Sequence, residues 1–210
     1  MDEITQKLER HYRECFSVHG ATPKGVDWRD DATANIRYAR MLAVIEMKAG
    51  EIPTVLDVGC GYGGLLGYAR LNGVALNYIG IDVVAGMIEE ARKAYPDARF
   101  IHGDVLTATF DTPADYVVCN GILTQKLDFA DGAMNEFAQR LIVRMFSIAR
   151  RGVAFNMMSS FVNFIVPNLY YKNPAETVAF CLSNLSRHVK IDHSYGLYEY
   201  TTYAYHEQVS

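Results

Sequence analysis

The 210-residue chain predicts an α/β fold: a doubly wound, mostly parallel sheet of seven strands with a C-terminal antiparallel hairpin and an N-terminal helical lid. Three observations carry this expectation. From residue 54 to residue 157, short apolar runs alternate with segments of helical spacing, which implies parallel strands with helices on both faces. The run Thr54–Val58 enters the glycine-rich turn Gly59-Cys60-Gly61-Tyr62-Gly63-Gly64, and a helical pattern follows at once. Near the end, two strand-like runs are separated by only Gly196-Leu197, the spacing of a hairpin.

Each element has its own warrant. Residues 2–16 read as a helix because Ile4, Leu8, Tyr12 and Cys15 recur at helical spacing. Gly20 to Asp31 is a turn-rich loop carrying Pro23, Gly25 and Trp28. The spacing predicts a second helix over 33–48, with Ile36, Ala39, Arg40, Ala43, Val44 and Met47 on related faces and Gly50 ending it. Strand 54–58, helix 64–72, strand 77–82, helix 85–95, strands 99–102 and 115–119, helix 133–150 and strand 152–157 then follow. An insert rich in methionine and aromatic residues runs from Met157 to Tyr171. A helix is expected from about Asn173-Pro174, where proline suits the first turn. Val189–Tyr195 and Tyr198–His206 form the closing hairpin. The expectation is one domain over 1–210: a helical lid (1–50), a core (51–157), an insert with its helix (158–188) and the hairpin (189–206).

Composition narrows the partners. Half the residues are hydrophobic and 21% are charged, an ordinary soluble balance. A net charge of -4 argues against a nucleic-acid groove, which needs a basic excess. Cys15, Cys60, Cys119 and Cys181 show no C-x-x-C pairing and read as reduced thiols of a cytoplasmic protein. The acidic start Met1-Asp2-Glu3-Ile4 is no signal peptide, and no apolar run approaches the ~20 residues of a membrane span. No Ser/His/Asp set and no metal-ligand spacing stands out, so no metal is expected.

The glycine turn between strand and helix lets a ligand lie against bare backbone and exposed N–H groups. Gly59, Gly61 and Gly64 satisfy the dinucleotide pattern G-x-G-x-x-G, with Asp82 at a suitable distance downstream. The same residues also spell D-x-G-x-G-x-G, with Asp57 inside the strand. A carboxylate there would repel a pyrophosphate and suits a cationic ligand without phosphate. S-adenosylmethionine (SAM), with its sulfonium and ammonium groups, answers that description better than NAD.

The block Val55–Gly64 resembles motif I of the class I SAM-dependent methyltransferases. Tyr78–Asp82 resembles their second strand, ending in the acid that holds the ribose hydroxyls. Phe100–Val105 is similar to the third strand, whose Gly103-Asp104 pair borders the adenine. Tyr116–Gly121 is similar to the fourth strand and the loop beneath the methionine part of the cofactor. The resemblance is detailed over about residues 50–125. It implies SAM as cofactor, S-adenosylhomocysteine (SAH) as product, and contacts from Asp57, Gly59, Gly61, Asp82, Val83, Met87, Asp104, Val105 and Asn120. Arg37, 22 residues before Gly59, resembles an arginine that holds the SAM carboxylate in some quinone-biosynthesis methyltransferases. Trp28 and Tyr12 offer aromatic faces to a sulfonium. Asp82 and Asp57 also have structural readings, as a helix cap and as a brace for the turn.

The function expected on this basis is in-line methyl transfer to an oxygen or nitrogen of a small organic acceptor. The alternatives are a protein or RNA acceptor, or a non-catalytic nucleotide- or NAD(P)-binding protein. Ligands of open α/β sheets collect at the C-terminal strand ends, so the insert is expected to meet the acceptor through Phe161, Phe164 and Tyr170. His102, His193 and Glu199 are candidates for a general base and none is assigned, so the catalytic residue is unknown. The expected setting is cytoplasmic, without membrane or nucleic-acid partners, and a homodimer is one assembly it allows.

Overall fold

The computed structural model describes residues 1–46, 48 and 50–207. Its sheet has strands β1 (Thr54–Val58), β2 (Asn77–Asp82), β3 (Arg99–His102), β4 (Ala114–Cys119), β5 (Ala149–Ser159), β6 (Tyr171–Lys172), β7 (His188–Asp192) and β8 (Glu199–Tyr205). They lie in the order β3-β2-β1-β4-β5-β8-β7, and β6 pairs with β5. The first five are parallel, and β8 runs antiparallel between β5 and β7. The helices are α1 (Glu3–His19), α2 (Asp31–Leu42), α3 (Gly64–Leu71), α4 (Ala85–Ala94), α5 (Asp131–Ile148) and α6 (Pro174–Asn184). Short 3-10 turns occupy Pro23–Val26 and Ile122–Thr124.

Side chains alternate across a strand, and here both faces are apolar, as burial on both sides requires. Leu56, Val58, Val117 and Cys119 point into a core shared with α1, α5 and α6. Val55, Tyr116 and Val118 point into a second core shared with α2, α3 and α4. Helix ends are capped locally. Asp2 accepts from the Thr5 N–H at 2.9 Å, Asp30 from Thr33 at 2.8 Å, and Asn173 from Ala175 at 2.9 Å, with Pro174 in the first turn as expected.

Several boundaries differ from the sequence expectation. The second helix stops at Leu42, not at residue 48. Val44 and Ile45 instead donate to Met41 and Leu42 in a tightened last turn, and Val44 is fully buried. Met47, expected on that helix, lies outside the described residues. The fifth strand runs over 149–159 rather than 152–157. It starts directly after α5 because Ala149 pairs with Ala114, while Arg150 bonds Asp115 at 2.9 Å. Residues 193–198 join β7 to β8, a longer connection than the two-residue turn expected. The insert adds the two-residue β6, making eight strands.

Candidate active site

The C-terminal ends of β1, β2 and β4 converge on a cavity of about 1000 Å³, its mouth included. Its floor is the glycine turn. Gly59 and Gly61 have φ of +72° and +54°, a left-handed conformation that costs glycine nothing. A Cβ on Gly59 would stand 2.6 Å from Ile122 Cδ1, so the turn passes tightly beneath the 122–124 helix.

Asp82 braces this floor. Its Oδ2 accepts from the Gly61 N–H at 2.9 Å and its Oδ1 from the Val84 N–H at 2.8 Å. One carboxylate thus ties the turn to the start of α4, and each oxygen retains a further lone pair. Asp57, beneath the turn, accepts from the Tyr78 hydroxyl at 2.6 Å. Burial pushes its carboxyl up to about 7, against the pull of the Tyr78 bond, and the Asp82 charge adds to the rise. Asp82 is raised by burial too, held back by its backbone N–H partners.

Other polar atoms at the cavity are left open. Asp104 accepts from the Leu106 N–H at 2.9 Å through Oδ1, but its buried Oδ2 has no partner. Asn120 is buried with neither Oδ1 nor Nδ2 bonded, and Thr5 Oγ1 is likewise unpartnered. Buried polar groups are almost always satisfied, so such a concentration beside one cavity calls for a ligand with matching donors and acceptors.

The roof comes from the N-terminal segment. Thr5, Leu8 and Tyr12 of α1 line the cavity, as do Val26, Trp28 and Tyr38. Trp28 lies against Gly121, where a Cβ would come within 3.3 Å of its ring. Of the residues expected at the cofactor, Asp57, Gly59, Gly61, Asp82, Val83, Met87, Asp104, Val105, Asn120 and Trp28 all line this one cavity.

Arg37, expected to face a cofactor carboxylate, is not among the lining residues. Its guanidinium forms a bidentate pair with Glu199, with Nε 3.0 and 3.1 Å from the two carboxylate oxygens, and stacks over Trp28. Phe161, Phe164 and Tyr170 are also absent from the lining. Phe161 and Phe164 are 69% and 56% exposed on the insert. Tyr170 is buried, and its hydroxyl donates to Asn135 of α5 at 3.1 Å. β6 pairs with the C-terminal end of β5 and the Tyr170 N–H donates to the Thr124 carbonyl at 2.8 Å, so the insert lies beside the loop after β4 without lining the cavity. None of the groups weighed as a base reaches the site. His102 bonds the Val83 carbonyl at 3.1 Å, His193 is exposed, and Glu199 is taken by Arg37 and by Asn156 at 2.6 Å.

The sequence reading missed Thr5, Leu8 and Ile122, which carry no motif and reach the cavity only through packing, and Tyr62, which the glycine turn itself carries there. It also missed Asn156, whose Oδ1 accepts from the Gly121 N–H at 2.8 Å. A lone amide inside the apolar run 152–157 was the signal for it.

Fold and cavity together define a Rossmann-like domain built to bind a nucleoside over a glycine turn. Comparison with known proteins agrees. The methyltransferase domain family model matches residues 55–142. A Mycobacterium tuberculosis protein named as a candidate methyltransferase, Rv1506c, is 32% identical over 157 residues, covering 74% of this chain and 94% of its own. The trans-aconitate 2-methyltransferase of Escherichia coli is 29% identical over 46% of this chain, which spans only 40% of that enzyme. Among solved structures, the DhpI–SAH complex superposes with a TM-score of 0.64 at 18% identity, covering 96% of this chain and 97% of that one.

The chain belongs to the class I SAM-dependent methyltransferases. It is an enzyme, and its cofactor is SAM. The residues present fit that cofactor: open acceptors and donors at Asp104 and Asn120 suit a nucleoside amino acid, and Asp82 keeps acceptor capacity toward the same cavity. Among the described residues, no helix is long and apolar enough to cross a membrane.

Proposed function

We propose that the enzyme methylates an oxygen or nitrogen of a small organic acceptor held in the same cavity as the cofactor. The observation that carries this reading is the roof. Thr5, Leu8 and Tyr12 of α1, together with Trp28, cover the strand ends, so the acceptor group has to be taken beneath them. A small molecule is enclosed that way more readily than a segment of protein or RNA. The net charge of -4 points in the same direction, and trans-aconitate, in the name of a relative, is a small acceptor.

In this reading Asp82 accepts from the ribose hydroxyls with its remaining lone pairs, and Asp104 Oδ2 from the adenine amine. The bare backbone at Gly59 and Gly61 admits the ligand closely, and Val83, Met87 and Val105 pack against the nucleoside. Asn120 bonds the methionine portion. Asp57 braces the turn through Tyr78, and Tyr12 and Trp28 contribute aromatic faces to a cation. When bound, SAM supplies a methyl group on a sulfonium that is its own leaving group. The chain's part is to align the acceptor and to exclude water, and the closed roof serves both. Among the described residues no histidine lines the cavity, and in this reading positioning carries the reaction.

The test is transfer from methyl-labelled SAM into a cell extract separated into small-molecule, protein and RNA fractions. Label is expected in the small-molecule fraction. Label found only in protein or RNA would overturn the acceptor class. Calorimetry checks the cofactor alongside: SAH is expected to bind and NADH is not.

A further inference from the structure

We propose that His11, Cys15 and Asp27 form a zinc site that clips the lid helix α1 to the turn beside the cavity. Cys15 follows His11 by four residues, which places both on one face of α1. Asp27 is brought to them by the Pro23–Val26 turn, whose closing residue it is. His11 Nε2 lies 3.1 Å from Asp27 Oδ2 and 3.8 Å from Cys15 Sγ, and the ligand atoms of all three lie within 4.8 Å of one another. Zinc–ligand bonds of about 2.0–2.3 Å in a tetrahedron place neighbouring ligand atoms about 3.3–3.6 Å apart. The three groups therefore need to move only by tenths of an ångström to about an ångström.

The donor chemistry selects the ion. One thiolate, one imidazole and one carboxylate suit zinc, whereas magnesium and calcium require oxygen. The fourth position stays open to water. Two features of the surroundings are those of a held ligand. Gln125 Nε2 donates to the same Asp27 Oδ2 at 2.6 Å, and Asn168 Nδ2 in turn donates to Gln125 Oε1 at 3.0 Å. Such outer partners orient a ligating carboxylate. Asp27 also closes its turn with a left-handed φ of +59°, which aspartate tolerates, and its carboxylate is there turned to His11. The side chains of His11 and Asp27 remain 27% and 39% exposed, which leaves a hydrated ion a way in.

Binding is a ligand exchange without redox change. The ion sheds waters, Cys15 releases its S–H proton to solvent, and His11 binds as neutral imidazole through Nε2 in place of its bond to Asp27. The consequence falls on the lid. Tyr12 adjoins His11, Val26 and Trp28 flank Asp27, and all three line the cavity. A bound ion fixes the helix and the turn to each other, so it must slow the opening that releases the cofactor product, whichever acceptor the enzyme uses.

The experiment is a cobalt(II) titration of the metal-free full chain, with zinc as competitor. One equivalent is expected to give a thiolate-to-cobalt charge-transfer band that zinc abolishes. Cys15→Ser should lose the band, and His11→Asn should bind cobalt at least tenfold more weakly, both with unchanged far-ultraviolet dichroism. Absence of the band, or its survival in Cys15→Ser through Cys60, Cys119 or Cys181, overturns the site. In stopped flow, zinc should slow SAH release from the unmodified protein and leave Cys15→Ser unaffected. Equal release rates with and without zinc overturn the clip.

Discussion

Asn120 sits at the mouth of β4 with its whole side-chain amide buried and unbonded, an arrangement that costs the free protein roughly 1–3 kcal/mol for each unsatisfied group. If the cofactor supplies the missing partners, Asn120→Ala acts with opposite signs on two measurements. Thermal unfolding of the free protein should be unchanged or shift upward, because no bond is lost. SAH affinity by calorimetry should fall by about 1–2 kcal/mol. A variant that lowers free-protein stability and leaves SAH binding intact would show that the amide serves the fold. Asp57 makes a second test, through pH. Burial raises its folded carboxyl to about 7, above its ordinary value near 4. A raised folded value means that its stabilising share is complete below about pH 4 and is lost as pH climbs toward 7, because the unfolded chain ionises first. The upper bound on that loss is about 4 kcal/mol. Asp82 is raised as well and shifts in the same sense. Urea unfolding of the ligand-free protein and of Asp57→Asn across pH 4.5–7 should therefore show the native protein losing stability relative to the variant as pH rises. A constant difference would refute the buried, protonated state.

At the scale of elements, the sheet's centre is held to the lid region by a polar chain. Arg37 of α2 pairs with Glu199 at the start of β8, Asn156 of β5 donates to the same carboxylate, and the Gly121 N–H donates to Asn156. Arg37 and Glu199 side chains are only 13% and 3% exposed, so removing one leaves the other charged and buried. Each of Arg37→Leu and Glu199→Leu is expected to cost about 3–5 kcal/mol in urea unfolding, and the double variant clearly less than their sum. Strict additivity would mean that the pair is not coupled. The same geometry bears on the cofactor. Because the guanidinium is turned to Glu199, Arg37→Leu should weaken SAH and methylthioadenosine, which lacks the amino-acid part, by the same factor. A loss confined to SAH would restore the carboxylate role inferred from the sequence. The chain of bonds was invisible in the sequence, since α2 and β8 are 162 positions apart along it at this contact. What the sequence did show was the lone amide of Asn156 in an apolar strand and the acid at the head of the last strand.

Across the whole molecule, the parallel half was legible because its two signals are local. Apolar runs marked β1, β2 and β3 at their observed bounds, and the glycines marked the turn that follows β1. The cavity residues carried by that half came with it. The insert was legible as apolar but not in its placing: Phe161 and Phe164 are exposed while Tyr170 packs against α5, a division set by the pairing of β6 with β5 and not by any local pattern. The lid was legible as helix but not as contact, because Ile4 and Leu8 reach the core across the strand ends and no local pattern reports that. The position of the lid sets the last expectation. α1 roofs the cavity, so its loosening widens the way in for a ligand. Its outer ties, Lys7 to Asp128 and Arg140 to Asp2, are exposed ion pairs worth at most about 1 kcal/mol each. Its inner ties are a few apolar side chains, whereas α5 buries Met134, Phe137, Leu141, Met145 and others along its whole length. Local opening should therefore be cheaper for α1 than for α5. In hydrogen exchange followed by mass spectrometry, peptides from residues 3–19 should take up deuterium faster than those from α5 in the free protein. Saturating SAH should slow the first set markedly, because Tyr12 and Leu8 line the cavity it is expected to fill, and leave α5 nearly unchanged. Equal protection of both helices without ligand, or no added protection of α1 with it, would mean that the cofactor enters by another route.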